Sequence, residues 1–477
     1  MVSANDPSGR PDRRPDSLPE VSGAPRTFHV VGIGGAGMSA IATALVGLGH
    51  RVTGSDLKDS AVVDRARAIG IEVSIGHDAS NIGNADAVAL STAIPGSNPE
   101  RLEAERRGLE ILSRAQVLAA ICGAKRTIAV AGSHGKTTTS SMLALILRQA
   151  DWRPSFIIGG DLNEVGSGAV WDDGEWLVVE ADESDGTFLH LPRQAAILTS
   201  VEPDHLEHWG GEEQLVEGFR EFLSGVSGPK VVCADDPGAA ALAHEVGATT
   251  YGQSPESDVL VAGVQLSGTS AMFQVKPRDG ETLTVNLPVP GLHNVLNAVG
   301  ALALALELGV DGSDAVGALA RFGGVARRME FRGERDGITF IDDYAHLPGE
   351  VESAIAAARA GEWSRVVVVF QPHRYSRTAS LASSFARSFD DADVVVITDI
   401  YASGEEPRPG VTGKLVVDAV AAGAGGPSRN RGGRQPKIIW LPSRIDVAEW
   451  LRTSLRSGDL CLTLGAGDLT TLPGELL

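Results

Sequence analysis

Cysteine is scarce in this chain: Cys122, Cys233 and Cys461 are the only thiols in 477 residues. Three cysteines this far apart make neither a disulfide framework nor a Cys-x-x-Cys metal site, so a reducing, cytoplasmic compartment is expected. Long apolar runs are missing too. No stretch approaches the roughly 20 residues of a membrane span. Residues 1–25 are polar and proline-rich, with no apolar segment of signal-peptide type, and read as a disordered tail. Basic charge is in deficit: 41 Lys and Arg against 61 Asp and Glu leave a net charge of −20. Such a surface repels nucleic acid and anionic membrane, so neither is expected as a partner, and a phosphate ligand must be held by local geometry. There is no internal repeat, and no Ser-His-Asp or Cys-His arrangement for a protein nucleophile.

What is present is ample core material, with 43% hydrophobic and 21% charged residues. The length suggests about three domains. Apolar β-type runs alternate with helical patterns throughout, the mark of α/β folds with parallel sheets. The first block, 26–124, opens with a strand at Thr27–Val31 and carries others near Arg51, Glu72, Ala87 and Glu110. The second, 125–325, opens at Thr127–Val130, with strands near Trp176, Ala196 and Lys230 and a closing helix from about Asn294 to Leu308. The third, 326–477, has strands near Ile338, Arg365, Val394, Ile438 and Leu460. The Gly/Arg-rich stretch 423–436 reads as a solvated insertion.

Two glycine turns carry the strongest signals. Gly32-Ile-Gly34-Gly35-Ala-Gly37 follows a strand and opens a helix, and Asp56 follows the next strand about 20 residues on. By itself this fingerprint would describe an NAD enzyme. Physically it specifies a diphosphate and a ribose, which a UDP-sugar also offers. Gly132-Ser133-His134-Gly135-Lys136-Thr137-Thr138 is a shortened phosphate loop, with Val130 where the usual first glycine stands. Its helix N-terminus, lysine and threonine hydroxyl are the parts that hold a triphosphate and Mg²⁺. A dehydrogenase has no use for the second turn, and a simple ATPase none for the first.

Polar residues also collect at the ends of later strands. The acids Glu180, Asp182, Glu183 and Asp185 beside a phosphate loop suggest Mg²⁺ ligation, or in part an acidic helix start. Glu202, Asp204 and His205 follow another strand. In the third block Asp342 is a ribose candidate, and Tyr344, His346, His373, Arg374 and Arg377 supply donors; the two arginines read as carboxylate or phosphate clamps.

The segments FHVVGIGGAGMSAIA, AVAGSHGKTTTS, VEADESDGTFL, SVEPDHLEHW, GLHNVLNA, GGVARRMEFRG, DDYAHLPGE and FQPHRYSRT resemble the Mur ligase family, in order and over nearly the whole chain. The resemblance implies a Rossmann-like UDP-binding domain, a central ATPase-like domain and a C-terminal Rossmann-like domain closing on the site. It implies the use of ATP and Mg²⁺ to join L-alanine to UDP-N-acetylmuramate through an acyl phosphate, in a monomer or homodimer. Carried over residue by residue, Lys136 stabilises the transferring phosphoryl group, and Thr137, Glu180 and His205 hold metal. His293, Asn294, Asn297, Arg328 and Asp342 contact ATP along with the loop residues. Gly34, Gly35, Asp56, His77, Ser91 and Thr92 receive the UDP moiety, while Tyr344, His346, His373, Arg374 and Arg377 frame the amino acid and acyl phosphate. A related ligase that attaches a preformed tripeptide is the nearest alternative, although Ser184 and Tyr344 depart from its usual pattern. An NAD(P)-dependent oxidoreductase and a non-catalytic nucleotide sensor are the others.

Overall fold

The computed structural model describes residues 21–91, 93–203, 206–267, 269–359, 361–423 and 435–477. Two compact units emerge: one runs to Gly263 and adds Phe273–Val285 and Leu296–Phe322, and the other comprises Val264–Met272, Asn286–Val295 and Gly323–Leu477.

The first unit begins with β1 (Thr27–Val31), β2 (Arg51–Asp56), β3 (Glu72–Ile75), β4 (Ala87–Leu90) and β5 (Glu110–Ser113), an all-parallel sheet in the order β3-β2-β1-β4-β5. The order reverses between β1 and β4, which opens a crevice at the carboxyl ends of these strands. Ala87, Val88, Ala89 and Leu90 are all buried, as expected of a sheet covered on both faces. The helix Ala36–Gly47 supplies one cover through Met38, Ile41 and Leu45. Val21, assigned to the tail in the sequence reading, is buried in the same core, and its carbonyl lies 2.9 Å from His50 Nε2.

The next sheet holds β6 (Arg126–Ala131), β7 (Ser155–Leu162), β8 (Ser167–Val170), β9 (Trp176–Glu180), β10 (Ala195–Leu198), β11 (Lys230–Cys233), β12 (Thr249–Gly252), β13 (Val259–Leu266), β14 (Ala271–Pro277) and β15 (Leu283–Leu287). Its order is β15-β14-β13-β12-β11-β10-β6-β9-β7-β8. β6, the strand entering the phosphate loop, lies between β10 and β9, parallel to both. The hairpin β7–β8 and the run from β12 to β15 were not foreseen. β14 buries only alternate residues (Ala271, Phe273 and Val275), so it lacks the continuous apolar run that marks the central strands.

In the second unit β16 (Glu330–Arg335), β17 (Ile338–Asp343), β18 (Arg365–Phe370), β19 (Val394–Ile397), β20 (Lys437–Trp440) and β21 (Asp459–Leu464) form a sheet ordered β16-β17-β21-β18-β19-β20. Only β16 runs antiparallel to its neighbour. β18 shows why the strand forms: Val366, Val368 and Phe370 enter one core, and Val367 and Val369 the core on the opposite face. The fold is α/β, as the alternating pattern predicts. Most of 423–436 lies outside the described residues.

Candidate active site

The phosphate loop is pinned to the segment that follows β10. Ser133 N–H donates to the Ser200 carbonyl (3.0 Å), and His134 N–H to Ser200 Oγ (3.0 Å). Ser133 Oγ accepts from Glu202 N–H at 2.8 Å, and His134 Nε2 lies 3.4 Å from Glu202 Oε2. Gly135 caps the helix Lys136–Gln149 at φ 80°, and Gly132 has φ 132°, both in the region that favours glycine. A side chain at Gly135 would strike Asn297, whose Oδ1 accepts from Thr139 Oγ1 at 3.2 Å. Beyond Gly135 the first turn of the helix presents N–H groups that have no acceptor within the helix, a ready anion seat.

The four acids after β9 do not act as one cluster. Glu180 Oε1 accepts from Thr137 Oγ1 (3.0 Å) and its Oε2 from Gly159 N–H (2.6 Å). Glu183 binds Lys136 with both oxygens, at 2.8 and 3.0 Å, with only 1% of its side chain exposed. Asp182 caps Ser184, and Asp185 reaches Arg114 at 3.1 Å. The turn after β9 points successive carboxylates in different directions, which spacing alone does not reveal. Burial opposes the charge on Lys136, but Glu183, Asp182 and Glu180 outweigh it and raise the ammonium above its ordinary value. Burial likewise raises Glu183, against the pull of Lys136. Thr137 and Glu180 offer hard oxygens that fit Mg²⁺; His205, expected as a further ligand, lies outside the described residues, as does Thr92.

At the first sheet, Gly34 N–H donates to Asp56 Oδ2 at 2.8 Å, so glycine turn and carboxylate meet as the fingerprint requires. A Cβ at Gly34 would lie 2.7 Å from that oxygen. Ser91 stands beside Gly32. His77 Nδ1 lies 3.1 Å from Ser55 Oγ and 3.0 Å from Glu100 Oε2. Glu100 drew no attention in the sequence, although Asn98-Pro99-Glu100 marks a helix start in which the acid faces inward.

In the second unit the arginines, tyrosine and histidines form a continuous ladder. The guanidinium carbons of Arg327 and Arg328 lie 4.9 and 5.3 Å from the Tyr344 ring centre. Tyr344 meets His346 edge-on at 5.3 Å, His346 meets His373 at 5.5 Å, and His373 stacks on Tyr401 at 5.9 Å. Arg377 Nη1 is 3.2 Å from His373 Nδ1; because a guanidinium only donates, that nitrogen accepts. Burial, then His346 and the two nearby arginines, push His373 down to about 4. Burial also lowers His346, although Glu350 opposes it. Arg374 holds φ 66° and donates its N–H to the Tyr401 carbonyl at 2.9 Å. Tyr401 was missed, since an isolated tyrosine carries no motif, and Arg327 was passed over for its neighbour Arg328 in the same segment. Asp342 is turned inward, accepting from Thr463 Oγ1 (2.5 Å) and Thr470 Oγ1 (2.6 Å). On the helix Leu292–Glu307, His293 is exposed and Asn294 Nδ2 donates to the Pro290 carbonyl at 2.7 Å.

A diphosphate-type turn and a triphosphate-type loop on successive α/β sheets, with a third sheet carrying arginines and imidazoles, define a nucleotide-dependent ligase. The chain belongs to the Mur ligase family: residues 27–126 match its catalytic domain, 130–305 its middle domain and 327–467 its glutamate ligase domain. It is 44% identical to a UDP-N-acetylmuramate–L-alanine ligase of Anaeromyxobacter sp. (strain Fw109-5), covering 95% of this chain and 97% of that protein. The ligase of the same name from Kineococcus radiotolerans is also 44% identical, over 94% of this chain and 95% of its own length. Among solved structures, the UDP-N-acetylmuramate-alanine ligase of Thermotoga maritima superposes with a TM-score of 0.79 at 28% identity, covering 94% of this chain and 98% of that one. A murein peptide ligase from Psychrobacter arcticus shares the fold at a TM-score of 0.69 and 24% identity, over 94% of this chain and 98% of that one.

Proposed function

We propose that the chain joins L-alanine to the carboxyl group of UDP-N-acetylmuramate at the expense of ATP, releasing ADP and phosphate in peptidoglycan precursor synthesis. The observation that carries this reading is the pair of glycine turns, one closed by Asp56 and one by the buried Lys136–Glu183 pair, in a chain of this family. A muramate carboxylate oxygen attacks the γ-phosphorus of ATP, ADP leaves, and an acyl phosphate forms. The alanine amine then attacks the acyl carbon, the tetrahedral adduct expels phosphate, and the nitrogen gives up a proton to leave the amide.

Each residue set has one task in this reading. The turn 32–37 and Asp56 hold the diphosphate and a ribose hydroxyl of the sugar nucleotide. The helix start after Gly135 seats the ATP phosphates, and Lys136 neutralises charge on the transferring group. Thr137 and Glu180 would hold Mg²⁺, which would supply charge neutralisation for the ATP phosphates. Arg374 and Arg377 clamp carboxylate or phosphate oxygens, and the neutral imidazoles of His346 and His373 add no further positive charge beside them. Positioning, charge neutralisation and proton removal are what the protein needs to provide, since carboxylate and amine are themselves the nucleophiles. ATP and nucleotide-linked sugars are cytoplasmic, and among the described residues all three cysteines are free and buried, in keeping with a reducing compartment.

The test is a panel: L-alanine, glycine, L-serine and a muramyl-type tripeptide, each offered with UDP-N-acetylmuramate, ATP and Mg²⁺. ADP release with L-alanine as the preferred acceptor is expected. Preference for the tripeptide, or steady ADP turnover that no acceptor accelerates, would overturn the reading.

A further inference from the structure

Under the crevice of the first sheet lies a carboxylate that the proposed reaction does not use. Glu100, in the first turn of the helix Pro99–Arg107, is fully buried. Ser55 Oγ donates to its Oε2 at 2.7 Å and Asn81 Nδ2 to its Oε1 at 2.6 Å. His29 Nε2, buried and without a hydrogen-bond partner, stands 3.8 Å from Oε1. Burial works against the charge, yet the His29, Ser55 and Asn81 side chains outweigh it and hold the carboxyl at about 2.

A buried ion in a polar network often gives no more stability than apolar packing of the same volume, so packing alone does not account for it. The outlet of this network is His77. Its side chain keeps 11% of its surface open, whereas those of Glu100 and His29 keep none. It sits in the loop after β3, next to the end of β2, where Gly76 N–H donates to the Asp56 carbonyl at 2.8 Å. An ionised carboxylate can only accept, so the His77 Nδ1 that faces it at 3.0 Å carries the proton. In the neutral ring, the other nitrogen is then an acceptor; the bond made at one nitrogen sets the chemistry of the other.

We propose that Glu100 is a positioning residue for uridine recognition: by taking the Nδ1 proton of His77 it fixes the ring and presents Nε2 as an acceptor. The group accepted is a hydrogen-bond donor of the uridine, either a ribose hydroxyl or the uracil ring N–H. This rests on the reading that the crevice at Asp56 receives the UDP portion of the substrate. Glu100 itself touches no ligand.

Calorimetric titration of the full chain with UDP, CDP and 2′,3′-dideoxy-UDP tests it, using wild type, Glu100→Gln, His77→Ala and the double variant. Glutamine keeps the shape but offers either an amide oxygen or an N–H to the ring, so the tautomer is no longer enforced. Glu100→Gln is expected to weaken UDP binding by about tenfold, and the double variant to bind no worse than His77→Ala alone. Collapse of the preference for UDP over CDP assigns the donor to uracil; collapse of the preference over the dideoxy nucleotide assigns it to ribose. Additive losses in the double variant, or equal weakening toward all three nucleotides, overturn the proposal while the functional reading stands. A wild-type chain that binds no UDP overturns both. If Glu100→Gln does not fold, the ring ¹⁵N shifts of the wild-type chain decide alone: a proton resident on Nε2 and absent from Nδ1 overturns it.

Discussion

Lys136 Nζ lies 2.8 Å from Glu183 Oε2 and 2.7 Å from the Gly132 carbonyl, so the lysine of the phosphate loop is folded back onto its own loop and a buried acid. Two consequences follow for nucleotide binding. The ammonium is already desolvated and positioned, and its counter-charge is the group an incoming phosphate must displace or share.

Removing the ammonium is the direct check on the loop. Lys136→Ala should lower the rate of ADP formation by about 10³-fold or more, the scale of losing a preorganised donor to a transferring phosphoryl group. A loss below tenfold would mean the loop takes no part in the chemistry.

Glu183→Gln should act on stability first. Leaving one member of a buried ion pair costs on the order of 3–5 kcal/mol, and ATP can return the missing negative charge. The nucleotide-free variant should therefore melt well below wild type, with a larger rise in Tm on adding ATP. An ATP-induced shift equal to that of wild type would show that Lys136 does not reach the phosphates.

Glu180 should govern the metal requirement. Glu180→Gln removes the charge that faces Thr137 Oγ1 while keeping an acceptor for Gly159 N–H. The Mg²⁺ concentration for half-maximal activity should rise by about tenfold or more. An unchanged Mg²⁺ titration would remove Glu180 from the metal site.

His373 predicts a pH effect of definite sign. Its folded value, about 4, is below its ordinary 6.5. Between those values the unfolded chain binds more protons than the folded one, so stability is present above 6.5 and is lost as the pH falls toward 4. Urea unfolding at a series of pH values should show that slope, and His373→Gln should make it shallower, the rest coming from His346, which is lowered too. A ring whose NMR titration is centred near 6.5 would contradict the geometry, which sets it between Arg377 and His346.

Much of this architecture was legible in the chain itself. The apolar runs at Val88, Val130 and Val366–Phe370 announced buried parallel strands, and Gly34, Gly135, Lys136 and Asp56 announced phosphate turns, because their chemistry is local: a helix start, a positive φ, a short loop between strand and helix. The strands from β12 to β15, which fill one end of their sheet, were not legible, since half-exposed strands resemble ordinary polar segments.

The sequence by itself determined the order of α/β blocks, the two phosphate-grasping turns and the family, because each rests on residues a few positions apart. Only the tertiary structure decided that Glu183 pairs with Lys136 across 47 positions, that Glu100 lies beneath His77, and that Tyr401 completes the ladder with His373. Those relationships depend on which strand ends lie side by side in the sheets, and strand order is set by packing of the whole core.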